Sequence, residues 1–164
     1  MTNWDRLVRA HGAAVFGTAW RILGHAADTE EVVQEVFLEA YRLRQTQRVK
    51  NWAGLLRRLA ACRALDRLRQ RKPFLPLDES LPESAPGPEA AAIERELAER
   101  LREVIAQLPP REGTVFCLRY FEDLSYQQIA DALDISSGAV AVALLKARAK
   151  LEALLTGVTL GEDP

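Results

Sequence analysis

Residues 73–88 read PFLPLDESLPESAPGP, with five prolines and one glycine and no helical period. Proline lacks the amide that a helix or sheet interior requires, and at this density it favours extended, poorly packed backbone. No single bundle can run through such a stretch. The chain therefore divides into residues 1–72, a flexible linker over 73–88, and residues 89–158, with the two flanking parts expected to be separate domains able to reorient.

Both flanks read as helix throughout, and no segment with a strand period competes, so the expected class is all-α. In the first part a helix over about residues 3–23 carries Leu7, His11, Ala14, Val15, Thr18 and Ile22 on one face and stops at Gly24. A second opens at Asp28, whose carboxylate can cap it, with Glu30 and Glu31 in the turn where the helix dipole favours acids. Its core positions are Val32 or Val33, Val36, Phe37, Ala40 and Tyr41. A third, over about residues 51–72, buries Trp52, Leu55, Leu56, Leu59 and Cys62. Arg63, Arg67 and Arg71 recur along it at i, i+4 and i+8, a cationic stripe suited to following a phosphate backbone.

The second part begins with a helix over about residues 88–108 whose apolar stripe is Ile93, Leu97, Leu101, Val104 and Leu108. Pro109 and Pro110 end it, and Pro110 starts the next helix, with Val115, Phe116 and Tyr120 facing inward. LSYQQIADALDISSGAVAVALLKARAKL, from Leu124 to Leu151, then reads as two helices joined by a tight turn. Ser125 and Gln128 form a capping box, Asp134 suits a left-handed turn, and Ser136 or Ser137 can cap the following helix. This is the pattern of a helix-turn-helix, in which the first helix braces the second in the major groove. The outward side of that second helix carries Ala139, Ala141, Val142 and Leu145, and its cations, Lys146, Arg148 and Lys150, fall in its C-terminal half.

The net charge of −1 conceals an asymmetry. Residues 1–72 hold 14 Lys/Arg against 7 Asp/Glu, whereas residues 73–95 and 96–164 each carry a balance of −4. Affinity for a polyanion is expected mainly in the N-terminal part. Cys62 and Cys117 lie far apart and match no metal-ligand spacing, so both are read as reduced packing residues. No stretch approaches the run of about 18 apolar residues that spans a bilayer, and MTNWDRLVR lacks a signal peptide's apolar centre. Membrane insertion is not expected, and the expected location is the cytoplasm.

The order and wording of these segments resemble the extracytoplasmic-function sigma factors of bacterial RNA polymerase, over nearly the whole chain. AWRILGHAADTEEVVQEVFLEAYRL resembles the family's second conserved region, WAGLLRRLAACRALDRLRQRK the promoter-contacting helix that follows, and LPPREGTVFCLRYFEDLSYQQIADALDISSGAVAVALLKARAKL its fourth region. The resemblance implies a two-domain helical protein without catalytic chemistry or cofactor of its own, which binds core polymerase and directs it to promoter DNA. It implies a core-binding surface at Asp28, Glu30, Glu31, Gln34, Glu35 and Phe37; the same acids also suit a plainly solvated helix start. For the minus-ten element it implies a base-capturing polar loop of Arg44, Gln45, Gln47, Arg48, Lys50 and Asn51, with Trp52 behind it as anchor or stacking platform and Arg63, Arg67 and Arg71 following the strand. Asp66 either pairs with a neighbouring arginine or sets the geometry of the DNA face. For the minus-thirty-five element the candidates are Ser125, Ser136, Ser137, Ala139, Ala141, Val142, Lys146 and Arg148.

The chain departs from the family pattern at Cys62, where asparagine is usual. It departs again at Ala139, Ala141 and Ala143, where threonine, lysine and arginine are common, and at Val142 and Leu145, which replace frequent serines. An alternative sigma factor is the leading reading; the competing one is a sigma-like interaction module whose recognition-helix face docks on protein. An enzyme is disfavoured, because His11 and His25 have no partners at triad or metal spacing. Control is expected from an anti-sigma factor or from closure of the two oppositely charged domains on each other.

Overall fold

The computed structural model describes residues 2–71 and 88–157, so the predicted linker lies outside the described residues except for Pro88. The described residues form seven helices and no strand: α1 (Asn3–Leu23), α2 (Ala26–Thr46), α3 (Trp52–Gln70), α4 (Pro88–Ala106), α5 (Pro110–Tyr120), α6 (Tyr126–Leu133) and α7 (Ser137–Leu155).

Local chemistry sets most of these ends. Thr2 and Asp5 form a capping box at the start of α1, and Gly24, left-handed at φ 61°, stops it. A side chain at Gly24 would also collide with the Arg102 guanidinium, so both conformation and space call for glycine there. The cap of α2 differs from expectation. His25 occupies the N-cap and its Nδ1 accepts from the Asp28 amide at 3.3 Å, which frees the Asp28 carboxylate for an ion pair with Arg71 at 3.1 Å. Asn51 caps α3, its Oδ1 accepting from the Gly54 amide at 3.0 Å. The capping box of Ser125 and Gln128 and the left-handed Asp134 turn form as the sequence indicates, and of the two candidate caps for α7 it is Ser136 that takes the position. Across that turn α6 and α7 are bent by 104°, within the range of a helix-turn-helix.

α1, α2 and α3 pack on one another around Val15, Ala19, Ile22, Val32, Val36, Ala40, Leu56 and Leu59. α4 to α7 enclose Val104, Ile105, Val115, Leu118, Ile129, Val140, Leu144 and Ala147. The two units meet on α3, whose second face packs against α5 and α6 and makes the buried interior continuous between them. That face runs through Gly54, Cys62, Leu65 and Arg69: Leu65 touches the backbone position of Gly113, Cys62 Sγ lies 3.4 Å from Thr114 Oγ1, and Gly54 leaves room for the Ala132 backbone. A side chain at Gly54 would meet both Asn51 and Ala132 Cα, so this glycine serves a close approach.

Polar contacts brace the same junction. Arg69 donates to the carbonyls of Ala106 (3.2 Å) and Leu108 (3.1 Å), where the open end of α4 leaves unpaired oxygens. Arg102 donates to the Ile22 carbonyl at 3.0 Å at the end of α1, and burial pulls its guanidinium pKa down. Arg21 pairs with Glu122 at 2.7 Å, and the Glu122 side chain is only 5% exposed.

Four residues expected in the core are corrected. Ile93 and Leu97, predicted to line the stripe of α4, are 58% and 65% exposed, because only the C-terminal half of that helix reaches the body. Tyr120 is exposed and carries Arg148 on its ring instead of facing inward. Tyr41 is exposed at the edge of an aromatic cluster. Ala143, grouped with the outward recognition residues, is buried.

Candidate partner and nucleic-acid interfaces

Three surfaces collect the predicted site residues. The first lies between α2 and α3. The expected stripe of Arg63, Arg67 and Arg71 does share one side of α3, but that side faces the acids of α2. Arg67 forks, donating to Glu31 at 2.6 Å and Glu35 at 2.9 Å; Arg63 holds Glu39 at 2.5 Å; Arg71 holds Asp28 at 3.1 Å and the Leu23 carbonyl at 2.9 Å. The stripe expected to follow a phosphate backbone is thus held by acids of the neighbouring helix. Each guanidinium has a carboxylate one helix away, close enough for a charge-assisted pair that water still partly screens. Arg63 is held more firmly protonated by its bond to Glu39. Glu30 and Gln34 are exposed on the outer side of α2, whereas Phe37 is half-buried, its ring edge-on to Trp4. Leu38, 58% exposed, sits in a shallow groove with Glu35, Glu39, Arg42 and Arg63. Leu38, Glu39 and Arg42 were not singled out from sequence; the i, i+4 run Glu31, Glu35, Glu39 was the available signal.

The second surface is the loop between α2 and α3. Gln47, Arg48 and Lys50 are exposed there, whereas Arg44 and Gln45, expected in the same loop, lie in the last turn of α2, where they too are exposed. Asn51 has a structural task as well, since its carbonyl oxygen caps α3. Beside the loop, Trp4 gathers Phe37, Tyr41 and Trp52 at 5.2 to 6.3 Å between ring centroids, and Arg44 lies over both Trp4 (5.4 Å) and Tyr41 (5.0 Å). Trp52 is half-buried in this cluster and anchors the start of α3. Trp4 escaped sequence analysis because its partners lie more than thirty positions away. Asp66 resolves toward pairing, at 3.1 Å from Arg69 and 3.6 Å from Arg63.

The third surface is the helix-turn-helix. Ser125 Oγ and Ser136 Oγ are engaged as caps, accepting from the amides of Gln128 (3.1 Å) and Ala139 (3.0 Å). Ser137 donates to Gln127, which donates to Asp131, a chain of polar groups satisfying one another. Ala139 is half-buried, and Ala141, Val142 and Leu145 are exposed, followed by Lys146 and Arg148. Arg148 donates through Nε to the Tyr120 hydroxyl, and Lys150 pairs with Glu112 at 2.7 Å.

The chain can be placed among known proteins at this point. Residues 7–74 match the model for Sigma-70 region 2, and residues 98–151 match that for Sigma-70, region 4. The RNA polymerase sigma-E factor of Streptomyces coelicolor is 30% identical over 152 residues, covering 91% of this chain and 84% of that protein. The RNA polymerase sigma factor NccH of Alcaligenes xylosoxydans is 30% identical, with 93% and 86% covered. The ECF RNA polymerase sigma factor SigE of Mycolicibacterium smegmatis is 31% identical over 92% of this chain, which spans 61% of that protein's length. Among solved structures, CnrH in complex with the cytosolic domain of CnrY superposes with a TM-score of 0.60 at 25% identity, covering 95% of this chain and 89% of that one. RpoE in complex with the anti-sigma factor NepR from Bartonella quintana reaches 0.57 at 14% identity over 95% and 98%, a likeness of fold. Both regions are matched in order, one on each side of the proline-rich segment, and relatives at 30% identity align over most of their own length. The chain belongs to the extracytoplasmic-function sigma factors of the sigma-70 family of bacterial RNA polymerase.

Proposed function

We propose that this chain is an alternative sigma factor: it binds core RNA polymerase in the cytoplasm, carries the enzyme to promoters and assists DNA opening, while the polymerase supplies the catalysis. The single observation that carries this reading is the succession of region 2 and region 4 on two helical units of matching fold. In this reading Glu30, Glu31, Gln34 and Glu35 meet a basic surface of the polymerase, which competes with Arg67 for the two glutamates that it holds. The end of α2 from Arg44 and the loop that runs on to Asn51, backed by the Trp4 cluster, take the unpaired strand of the minus-ten element through charge and stacking.

The docked arrangement of the two units is read as the resting form. The minus-ten and minus-thirty-five elements are about 25 base pairs apart, which at about 3.4 Å per step is about 85 Å. A compact chain of this length has a radius of gyration of about 15 Å, so it cannot touch both while closed. Polymerase must part the α3 junction, and an anti-sigma factor of the kind named for RpoE would act by holding the sigma factor away from polymerase. Run-off transcription from a fragmented genomic library, with core polymerase and with or without the chain, tests the reading. New start sites that depend on the chain are expected. Confirmed binding to core with no new transcript would overturn it in favour of an interaction module.

A further inference from the structure

Beyond Ser137, the exposed positions of α7 up to Leu145 are Gly138, Ala141, Val142 and Leu145, with Val142 52% and Leu145 68% exposed. None of these side chains can donate or accept a hydrogen bond. The neighbouring polar groups are engaged with one another, since Ser137 donates to Gln127 at 3.1 Å and Gln127 to Asp131 at 2.9 Å. Among the described residues no helix of either unit covers this face, because the docking of the two units uses α4, α5 and α6. Positive charge begins one position after the apolar stretch, at Lys146, and continues at Arg148, complementary to the phosphates that flank a groove.

The floor of the major groove offers one apolar feature, the C5 methyl group of thymine. We infer that α7 reads the minus-thirty-five element through thymine methyl groups, with Val142 and Leu145 as the specificity-determining contacts and Lys146 and Arg148 holding the backbone. The inference rests on the proposed function. It assigns to this chain a duplex element rich in thymine on the strand that α7 faces, and little discrimination among bases by hydrogen bonding.

Deoxyuridine removes only that methyl group and keeps every hydrogen-bonding atom of thymine, so it isolates the contact. Holoenzyme assembled from the full chain and core polymerase is given promoters found by run-off transcription, with the thymines of the upstream element replaced singly by deoxyuridine. Open-complex formation is expected to fall about fourfold at each contacted thymine, which corresponds to about 0.8 kcal/mol for one buried methyl-sized group. Val142→Ser with Leu145→Ser, both on an exposed face and so compatible with folding, is expected to erase the difference between the two bases. Equal rates on thymine and deoxyuridine, with sensitivity to guanine or adenine changes, would overturn the inference in favour of polar readout. Indifference to the upstream sequence, joined to loss of a protein contact in the double variant, would overturn it in favour of a protein-docking face. Failure to start transcription on any DNA would sink the proposed function itself, and the inference with it.

Discussion

α3 and α7 are both helices of 19 residues that fail to show one apolar and one polar side, and they fail for opposite reasons. α3 is buried on two sides: Leu56, Leu59 and Ala60 face its own unit, while Gly54, Cys62 and Leu65 meet the other. Its arginines escape sideways to the acids of α2. α7 is buried on one side through Val140, Leu144, Ala147 and Leu151, and leaves Val142 and Leu145 in water on the other. An apolar residue away from the main core face is thus a covered junction in one helix and an open contact surface in the other. A helix with apolar residues on more than one side has two partners, and only the structure tells which of them is already present.

The same substitution in the two helices separates the cases most sharply. Leu65→Ala removes a fully buried side chain wedged against Gly113 and is expected to cost about 2 to 5 kcal/mol. At about 2 to 4 °C per kcal/mol for a chain of this size, thermal melting should register it as a drop of roughly 5 to 20 °C. Leu145→Ala should change stability by no more than about 0.5 kcal/mol. Similar melting shifts for both would refute the contrast.

A second variant opens the junction while leaving the core of each unit in place. Ala132 lies in α6 with its backbone against Gly54, so Ala132→Arg should force α6 off α3. Small-angle scattering should then give a radius of gyration clearly above the compact value of about 15 Å, and Cys62 should react faster with a thiol reagent. Unaltered scattering and an unaltered Cys62 rate would remove the junction from the account. Cys117 is fully buried and its thiol pKa is pushed up by that burial, so in the parent chain it should remain the slower of the two.

A modest effect is expected in the ladder of ion pairs. Arg67→Ala should lower stability by about 1 kcal/mol or less, since Glu31 and Glu35 are about half exposed and water replaces much of the pairing. The loss should shrink further in high salt, measured by denaturant unfolding at two ionic strengths. A salt-insensitive loss of several kcal/mol would mean that the pairs support the fold and are not a solvent-exchangeable surface.

These contrasts also mark what could be read in advance. Caps and turns are local chemistry, so Gly24, the box at Ser125 and Gln128, Asp134 and Ser136 were legible in the sequence, as were the helical order and the resemblance to sigma factors. Periodicity places residues on a shared face but does not say what that face meets. Arg63, Arg67 and Arg71 were therefore placed on one side of α3, while their pairing with the acids of α2 could not be read from it. Ile93 and Leu97 continue the stripe of α4 past the point where the other described helices reach it. Asp28 looked like a cap because aspartate is a good one, yet His25 three residues earlier took the position and Arg71 took the carboxylate. Trp4 and Leu65 depend on contacts between distant segments, which no local pattern encodes.

The closed junction and its opening by polymerase form the central claim, and a distance between the two units tests it most directly. Spin labels at Arg48→Cys, beside the minus-ten loop, and Ala149→Cys, on the outer side of α7, would be placed in a chain carrying Cys62→Ser and Cys117→Ala. Both label positions are exposed, so the folded units should tolerate them. A single short separation in the free chain that lengthens toward promoter scale on addition of core polymerase is the predicted result. A long separation already present in the free chain, or a short one that persists in the holoenzyme, would contradict it.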